Sequence, residues 1–221
     1  MTPTADRPKL TPAAQRAKRL SVLCLILMIL GSIGLDQVTK LHAQDRLMRW
    51  SDDKDPALYQ GQRYPLYSAG SPLSNDGSKF YFALSTNYVR NLGAAWGALA
   101  GLPNGVRVPF FYLVTILAVV IIIVYMRSTP AHHRLAIFAL ALILSGAIGN
   151  FLDRLRLGYV IDWIDVRWNL IGWRYDFPNF NFADSCITVG VILLMIDMLV
   201  VEGFRRRAAE GGGRSGAPAV S

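Results

Sequence analysis

Asp162 and Asp184 stand at the edges of two long apolar segments of this 221-residue chain. A carboxylate at a helix centre in hydrocarbon costs roughly 2.5–3.5 kcal/mol on insertion scales, so one placed near a membrane marks a functional site by default. Two carboxyls that meet in space cannot both ionise readily, and one keeps its proton. The ionised partner can take a proton from water, which then attacks a carbonyl, while the protonated partner polarises that carbonyl. This is the chemistry of peptide hydrolysis. Such a pair titrates as a unit, so neither role falls to a particular residue. Taken singly, each aspartate has a plainer reading. Asp184 begins a helix and could serve as its N-cap, and Asp162 could be a surface carboxylate. Only the two together, on one side of one membrane, favour catalysis.

Three further polar clusters need an explanation. Asp36-Gln37-Val38-Thr39-Lys40 puts an acid and a base at i and i+4 on one helix face. A salt bridge at a helix end, with Lys40 snorkelling to the surface, is the plainer account. Asn91-Leu92-Gly93-Ala94-Ala95 offers an amide that can hold a peptide backbone, next to small residues that permit close approach. It also reads as a turn. In Gly149-Asn150-Phe151-Leu152-Asp153-Arg154, Asn150 and Arg154 lie one turn apart, and Ser145 and Gly149 form a small-xxx-small packing pair. Asn181 precedes Asp184 by three residues and, like Asn91, could hold substrate backbone. Asp36, Lys40 and Arg154 could shape the local field.

These groups must be positioned by membrane elements. The chain is 52% apolar and only 17% charged, outside the range of an ordinary soluble domain. A ~30 Å hydrocarbon core needs about 20 helical residues. Four segments qualify: roughly Leu20–Thr39, Val106–Met126, Leu135–Leu152 and Asp184–Val201. A cleavable signal peptide is the alternative for the first, but Ser32-Ile33-Gly34 is a poor cleavage site. The net charge of +8 is concentrated beside the spans, at Arg7, Lys9, Arg16, Lys18 and Arg19 and at Arg205, Arg206 and Arg207. By the positive-inside rule both termini are cytoplasmic. The same placement argues against a nucleic-acid surface.

The predicted organisation is therefore a basic cytoplasmic segment over residues 1–19, a membrane domain over 20–203 and a basic, then disordered, cytoplasmic tail over 204–221. A polar insertion at about 45–79 is external. Phe80–Leu84 and Tyr88–Val89 look strand-like, so a small external sheet is expected. Aromatics crowd the segment from Trp163 to Phe182, a density that suits the headgroup level. Cys24 and Cys186 fall in apolar segments and read as small core residues. His42 and the His132-His133 pair lack metal-ligand spacing.

All the polar clusters, in this order, resemble the lipoprotein signal peptidase (signal peptidase II) family over roughly residues 20–200. The matching positions are Asp-Gln-x-Thr-Lys at 36–40, Asn91-x-Gly93-Ala94-Ala95, Gly149-Asn150-x-x-Asp153-Arg154, Asp162 within Ile161–Asp165, and Asn181-x-Ala183-Asp184. The resemblance implies that Asp162 and Asp184 form a catalytic dyad. It also implies that Asp36, Lys40, Asn91, Gly93, Asn150, Asp153, Arg154 and Asn181 support it or bind substrate. The implied fold is an all-α membrane protein: four transmembrane helices with a small external β-cradle and a short amphipathic helix. The implied reaction is removal of a signal peptide before a diacylglyceryl-modified cysteine, by a monomer in the bacterial cytoplasmic (inner) membrane, with the site near the outer face. Prolipoprotein substrates, membrane lipids and globomycin-type inhibitors are the implied partners, with no metal or organic cofactor and no nucleic acid. The sequence departs from the family pattern in the insertion before Phe80 and at Trp168–Tyr175, which would lengthen the loop over the site. Three other readings compete: a proton-relaying transporter using Asp36, Asp162 and Asp184, a membrane scaffold, and a Ser/Lys peptidase with Lys40 as base, for which no serine is well placed.

Overall fold

The computed structural model describes residues 11–47, 63–70, 80–93, 99, 101–170 and 173–212. Expectations for the first ten residues, most of the insertion, Ala94 and Ala95, and the tail beyond 212 lie outside these. In chain order the elements are α1 (Pro12–Leu47), β1 (Tyr64–Gly70), β2 (Phe80–Asn91), α2 (Asn104–Ser128), α3 (Arg134–Leu157), β3 (Val160–Leu170), β4 (Trp173–Asp176) and α4 (Phe182–Gly212). All four helices are long and apolar enough to cross a membrane. Among the described residues no other helix occurs, so the short amphipathic helix is not among them.

Helix α3 is the hub. It packs against α1, α2 and α4, whereas α1 and α4 meet only slightly. Its buried face is built of small residues, including Ala136, Ala139, Ser145, Gly146 and Gly149. Helices in lipid gain little from burying one another's apolar side chains, so close backbone approach through small residues holds them. A Cβ on Gly146 would run into the Ala183 carbonyl of α4, and one on Gly149 would lie 2.6 Å from Asp36 Oδ2. From the other side, Gly190 of α4 has the Ala139 carbonyl 2.7 Å from where its Cβ would stand. The outward faces carry the large residues: Leu30 is 60%, Leu113 68% and Leu199 70% exposed. In water such surfaces would aggregate, and in a bilayer they face lipid.

Gly158 ends α3 in the left-handed region (φ 78°), its N–H bonded to the Arg154 carbonyl at 3.0 Å. Strand β3 begins two residues later, so the last turn of α3 and the first residues of β3 are neighbours. The sheet is antiparallel throughout, in the order β1-β2-β3-β4. Asp162 pairs with Val89 and Val160 with Asn91, after a bulge between Thr86 and Val89. The two expected strand segments, Phe80–Leu84 and Tyr88–Val89, are thus one bulged strand. The polar insertion contains a strand that alternation did not reveal, β1, paired with β2.

Trp168–Tyr175 is not a longer loop over the site. Its described residues form the far end of β3 and β4, because Phe80 and Phe82 of β2 offer a ladder out to Leu170. Leu170 lies eight residues along the strand from Asp162, about 26 Å at 3.3 Å per residue. Gly146→Val should lower the thermal stability of the detergent-solubilised protein by about 1–3 kcal/mol, the usual cost of overpacking. An unchanged melting temperature would show that α3 and α4 are not in close register at this point.

Candidate active site

The two aspartates meet around one asparagine. Asn181 Nδ2 donates to Asp162 Oδ1 at 2.7 Å, and its backbone N–H donates to Asp184 Oδ2 at 3.1 Å. In return Asn181 Oδ1 accepts the Asp184 N–H at 2.9 Å. The residue that caps α4 is therefore Asn181, with Asp184 at the third helical position reaching back, a reciprocal capping pair. The expectation that Asp184 is itself the N-cap is corrected accordingly. Strand β3 is held against this cap by backbone bonds: Phe180 N–H donates to the Ile164 carbonyl at 3.1 Å, and Ile164 N–H to the Phe180 carbonyl at 2.9 Å.

Each carboxylate has a second amide partner. Asn91 Nδ2 donates to Asp162 Oδ2 at 3.0 Å, and Asn150 Nδ2 donates to Asp184 Oδ1 at 2.8 Å. Asp162 is 2% exposed, so it is no surface carboxylate. Burial, and next the nearby charge of Asp184, push its carboxyl from the ordinary 3.8 up to about 7, against the two amide bonds that favour the anion.

Behind the amides lies a buried ion cluster. Lys40 Nζ is 2.9 Å from Asp36 Oδ2, 3.1 Å from Asp153 Oδ2 and 2.9 Å from Asn150 Oδ1. Lys40 is fully buried, so it does not snorkel. Asp36 Oδ1 accepts the Ala183 N–H of α4 at 2.9 Å, and Asp153 Oδ2 accepts the Ile161 N–H at 3.1 Å. The cluster thereby fixes the starts of α4 and β3, the two elements that carry the aspartates. Arg154 faces the other way. Its Nη2 donates to the Gly93 carbonyl at 2.9 Å, and its guanidinium lies 4.5 Å from the Phe111 ring centroid. Gly93 N–H in turn donates to Asn91 Oδ1 at 3.0 Å. Asn91 therefore closes a turn, as one of its sequence readings has it, and also holds Asp162.

The signal peptidase II family model, "Signal peptidase (SPase) II", matches residues 26–200. The chain belongs to the signal peptidase II family. Among its relatives, a lipoprotein signal peptidase of Geobacter sulfurreducens is 42% identical over 181 residues, covering 82% of this chain and 93% of the relative. Another, from an Anaeromyxobacter species, is 41% identical over 177 residues, covering 78% and 82%. A solved structure described as a bacterial membrane enzyme, obtained by the in meso method at 2.3 Å, superposes with a TM-score of 0.58 at 32% identity. It covers 80% of this chain and 88% of that one. This signal peptidase II family member is thus a multi-pass membrane protein from a protease family.

All ten site residues expected from the sequence fall in one connected network: Gly93, Asn91, Asp162, Asn181, Asp184, Asn150, Lys40, Asp36, Asp153 and Arg154. Two side chains that join this network escaped the expected set, Gln37 and Arg156, the latter 3.8 Å from Asp153 Oδ1. Gln37 Nε2 lies 3.1 Å from Asp36 Oδ2, 3.1 Å from the Gly149 carbonyl and 3.2 Å from Asp153 Oδ1. A signal was present: an amide one residue from Asp36 and three from Lys40. The backbone donors of Ile161 and Ala183 carry no such sequence signal. Lys40→Met would leave buried Asp36 without its cation and Asp153 with Arg156 alone, 3.8 Å away, and should cost about 3–5 kcal/mol of stability in this signal peptidase II family member. Thermal unfolding in detergent checks this; a loss below about 1 kcal/mol, the range of a surface pair, would contradict it.

Proposed function

We propose that this chain removes the signal peptide from diacylglyceryl-modified prolipoproteins, cleaving before the lipidated cysteine with water activated between Asp162 and Asp184. The observation that carries the reading is the shared hold of Asn181 on both carboxylates, 2.7 Å to one and 3.1 Å to the other. Neutral amides orient both groups, with no direct counter-ion among the described residues, which suits a pair that must share one proton. In the productive state the ionised carboxylate takes a proton from water as the water attacks the scissile carbonyl. The other carboxyl donates its hydrogen bond to the carbonyl oxygen, and protonation of the amine then releases the signal peptide. In this reading Asn91, beside Gly93, binds substrate backbone, and Arg154, bonded to the Gly93 carbonyl, supports that turn. A lipid-modified substrate stays in the bilayer, so its signal helix enters laterally. The scissile bond then comes to the site at the outer face, with both termini of the enzyme cytoplasmic. Globomycin-type inhibitors would compete for this site.

The first test is cleavage of a diacylglyceryl prolipoprotein by the purified full chain in lipid-supplemented detergent. Asp162→Asn and Asp184→Asn, shown to be folded, should each lose activity by on the order of 10³-fold or more. Activity retained in either variant would remove that aspartate from the mechanism. Ion transport in liposomes without cleavage would favour the relay reading instead.

The pH dependence follows from the pair. The active form holds one proton, so activity falls in acid as both carboxyls protonate and in alkali as both ionise. With the Asp162 carboxyl raised to about 7, the alkaline limb of kcat/KM should lie near neutrality. The same shift acts on stability with a definite sign. Between about pH 4 and 7 the folded state binds a proton that the unfolded state has released, so stability falls as pH rises across that window. The wild-type melting temperature should drop from pH 5 to pH 8, and Asp162→Asn should flatten the drop. Equal slopes for the two proteins would refute the buried-carboxyl assignment.

A further inference from the structure

Helices α1 and α3 run the same way, since Asp36 meets Gly149 and Lys40 meets Asp153. Beyond the ion cluster the space between their last turns is not filled. A cavity of about 380 Å³ opens there, lined by Leu41, Gln44 and Asp45 of α1 and by Arg156 and Leu157 of α3. Its polar groups are under-used. Arg156 Nη2 is 3.8 Å from Asp153 Oδ1, too far for a hydrogen bond, and the Arg156 side chain makes none among the described residues. The side chain of half-buried Gln44 makes none either. Asp45 is paired with its neighbour Arg46 at 3.3 Å, with both side chains exposed, an arrangement of little strength. A guanidinium with a free fork of N–H donors is the side chain best matched to a phosphate.

The cavity lies at the ends of two spanning helices, where headgroups meet protein. Helix α1 closes at Leu47 and α3 at Leu157. Below the charged residues the surface turns apolar. Val38, one turn beneath Leu41 on α1, is 64% exposed, and Leu152, one turn beneath Arg156 on α3, is 37% exposed. An occupant therefore has hydrocarbon on one side and a polar head on the other. The charges specify that head. Arg156 calls for an anion. Asp45 calls for a cation beside it, and the carbonyl ends of two parallel helices add negative potential at the same level. A head carrying negative charge alone would meet both Asp45 and these helix ends with like charge. We propose that the cavity binds one phospholipid with a zwitterionic primary-amine head, of the phosphatidylethanolamine class. Its phosphate sits on Arg156, its ammonium donates to Asp45 and to the Gln44 side-chain carbonyl, and its chains lie along α1 and α3. The site touches the catalytic scaffold at one atom group. Asp153 turns Oδ1 to Arg156 and uses Oδ2 for Lys40 and for the Ile161 N–H that starts β3. The lipid thus joins α1 to α3 beside the carboxylate that fixes β3, and binding stabilises that end of the fold. The inference needs the membrane spans but not the peptidase reading.

The test is native mass spectrometry of the full chain, delipidated in detergent and then given equal amounts of phosphatidylethanolamine, phosphatidylcholine and phosphatidylglycerol with identical chains. The wild type should retain one phosphatidylethanolamine, several-fold in preference to the other two, and that lipid should raise the melting temperature most. Phosphatidylcholine isolates the amine, because its methylated head offers Asp45 no N–H. Arg156→Gln should lower retention several-fold, and Arg156→Lys, which keeps a cation, should recover part of it. Asp45→Asn should still bind lipid but should no longer prefer the amine head. Asp45 is exposed, so this variant keeps the test decisive if Arg156→Gln fails to fold. Equal retention of all three lipids by the wild type would overturn the proposal, since lipid would then coat the helices without a site. Undiminished retention in Arg156→Gln, or unchanged selectivity in Asp45→Asn, would overturn it as well. The readout is independent of cleavage, so failure here and failure of the peptidase reading are distinguishable.

Discussion

The buried ammonium of Lys40 is the interaction on which the rest of the site depends. It pairs with Asp36 one turn away on α1, and it joins α1 to α3 through Asp153 and the amide of Asn150. Two carboxyl groups and an amine are buried together here, with Arg156 3.8 Å from Asp153 at the edge, and such a cluster is costly unless every lone pair has a partner. The partners are supplied by buried backbone donors at element starts: Ala183 N–H at the start of α4 and Ile161 N–H at the start of β3. The two elements that carry Asp162 and Asp184 are thus pinned by the groups that satisfy the ion cluster. Close helix packing is part of the same solution, since only a glycine at 149 leaves room for Asp36 Oδ2.

The orientation of Asn150 shows how this cluster reaches the aspartates. Its Oδ1 accepts from Lys40 Nζ and from Asn181 Nδ2, so its NH2 must turn toward Asp184. A cation can only be met by the carbonyl end of an amide. Lys40 therefore decides which end of Asn150 Asp184 meets, although it makes no bond to Asp184. Asn181 is constrained in the same manner, its oxygen committed to the Asp184 N–H and its NH2 left for Asp162 and Asn150.

Much of this was legible in the sequence because membranes make polar groups informative. Asp36, Asn150 and Asp184 stand in or beside runs that hydrocarbon would otherwise fill, and each proved to be bonded rather than incidental. The spans were legible for the same reason, by length and apolarity. What escaped detection lacked such a contrast. Strand β1 lies within a polar stretch where no alternation separates a paired strand from a loop, and Tyr64–Gly70 is ordered by its register with β2. The Trp168–Tyr175 stretch looked like extra loop length because its residues face two environments, and pairing with Phe80 and Phe82 is a long-range fact. The exchange of roles between Asn181 and Asp184 follows from which residue precedes the first helical turn, a boundary that sequence patterns locate only to within a few positions.

The choice of amides around the aspartates is itself an argument about mechanism. A lysine or arginine bonded directly to either carboxylate would hold it ionised, and the pair would lose the shared proton on which the proposed water activation depends. An apolar wall would instead keep both carboxyls neutral at working pH. Asparagine satisfies a carboxylate oxygen while adding no charge, and Asn91, Asn150 and Asn181 together surround the pair with such donors. The positive charge the site needs is set one residue further back, at Lys40, where it offsets Asp36 and Asp153. Its field still favours the Asp162 anion, but more weakly than burial opposes it. A balance of this kind keeps the pair within reach of singly protonated chemistry near neutral pH. Replacing an amide by either a charge or a hydrocarbon would move the pair off that balance, in opposite directions.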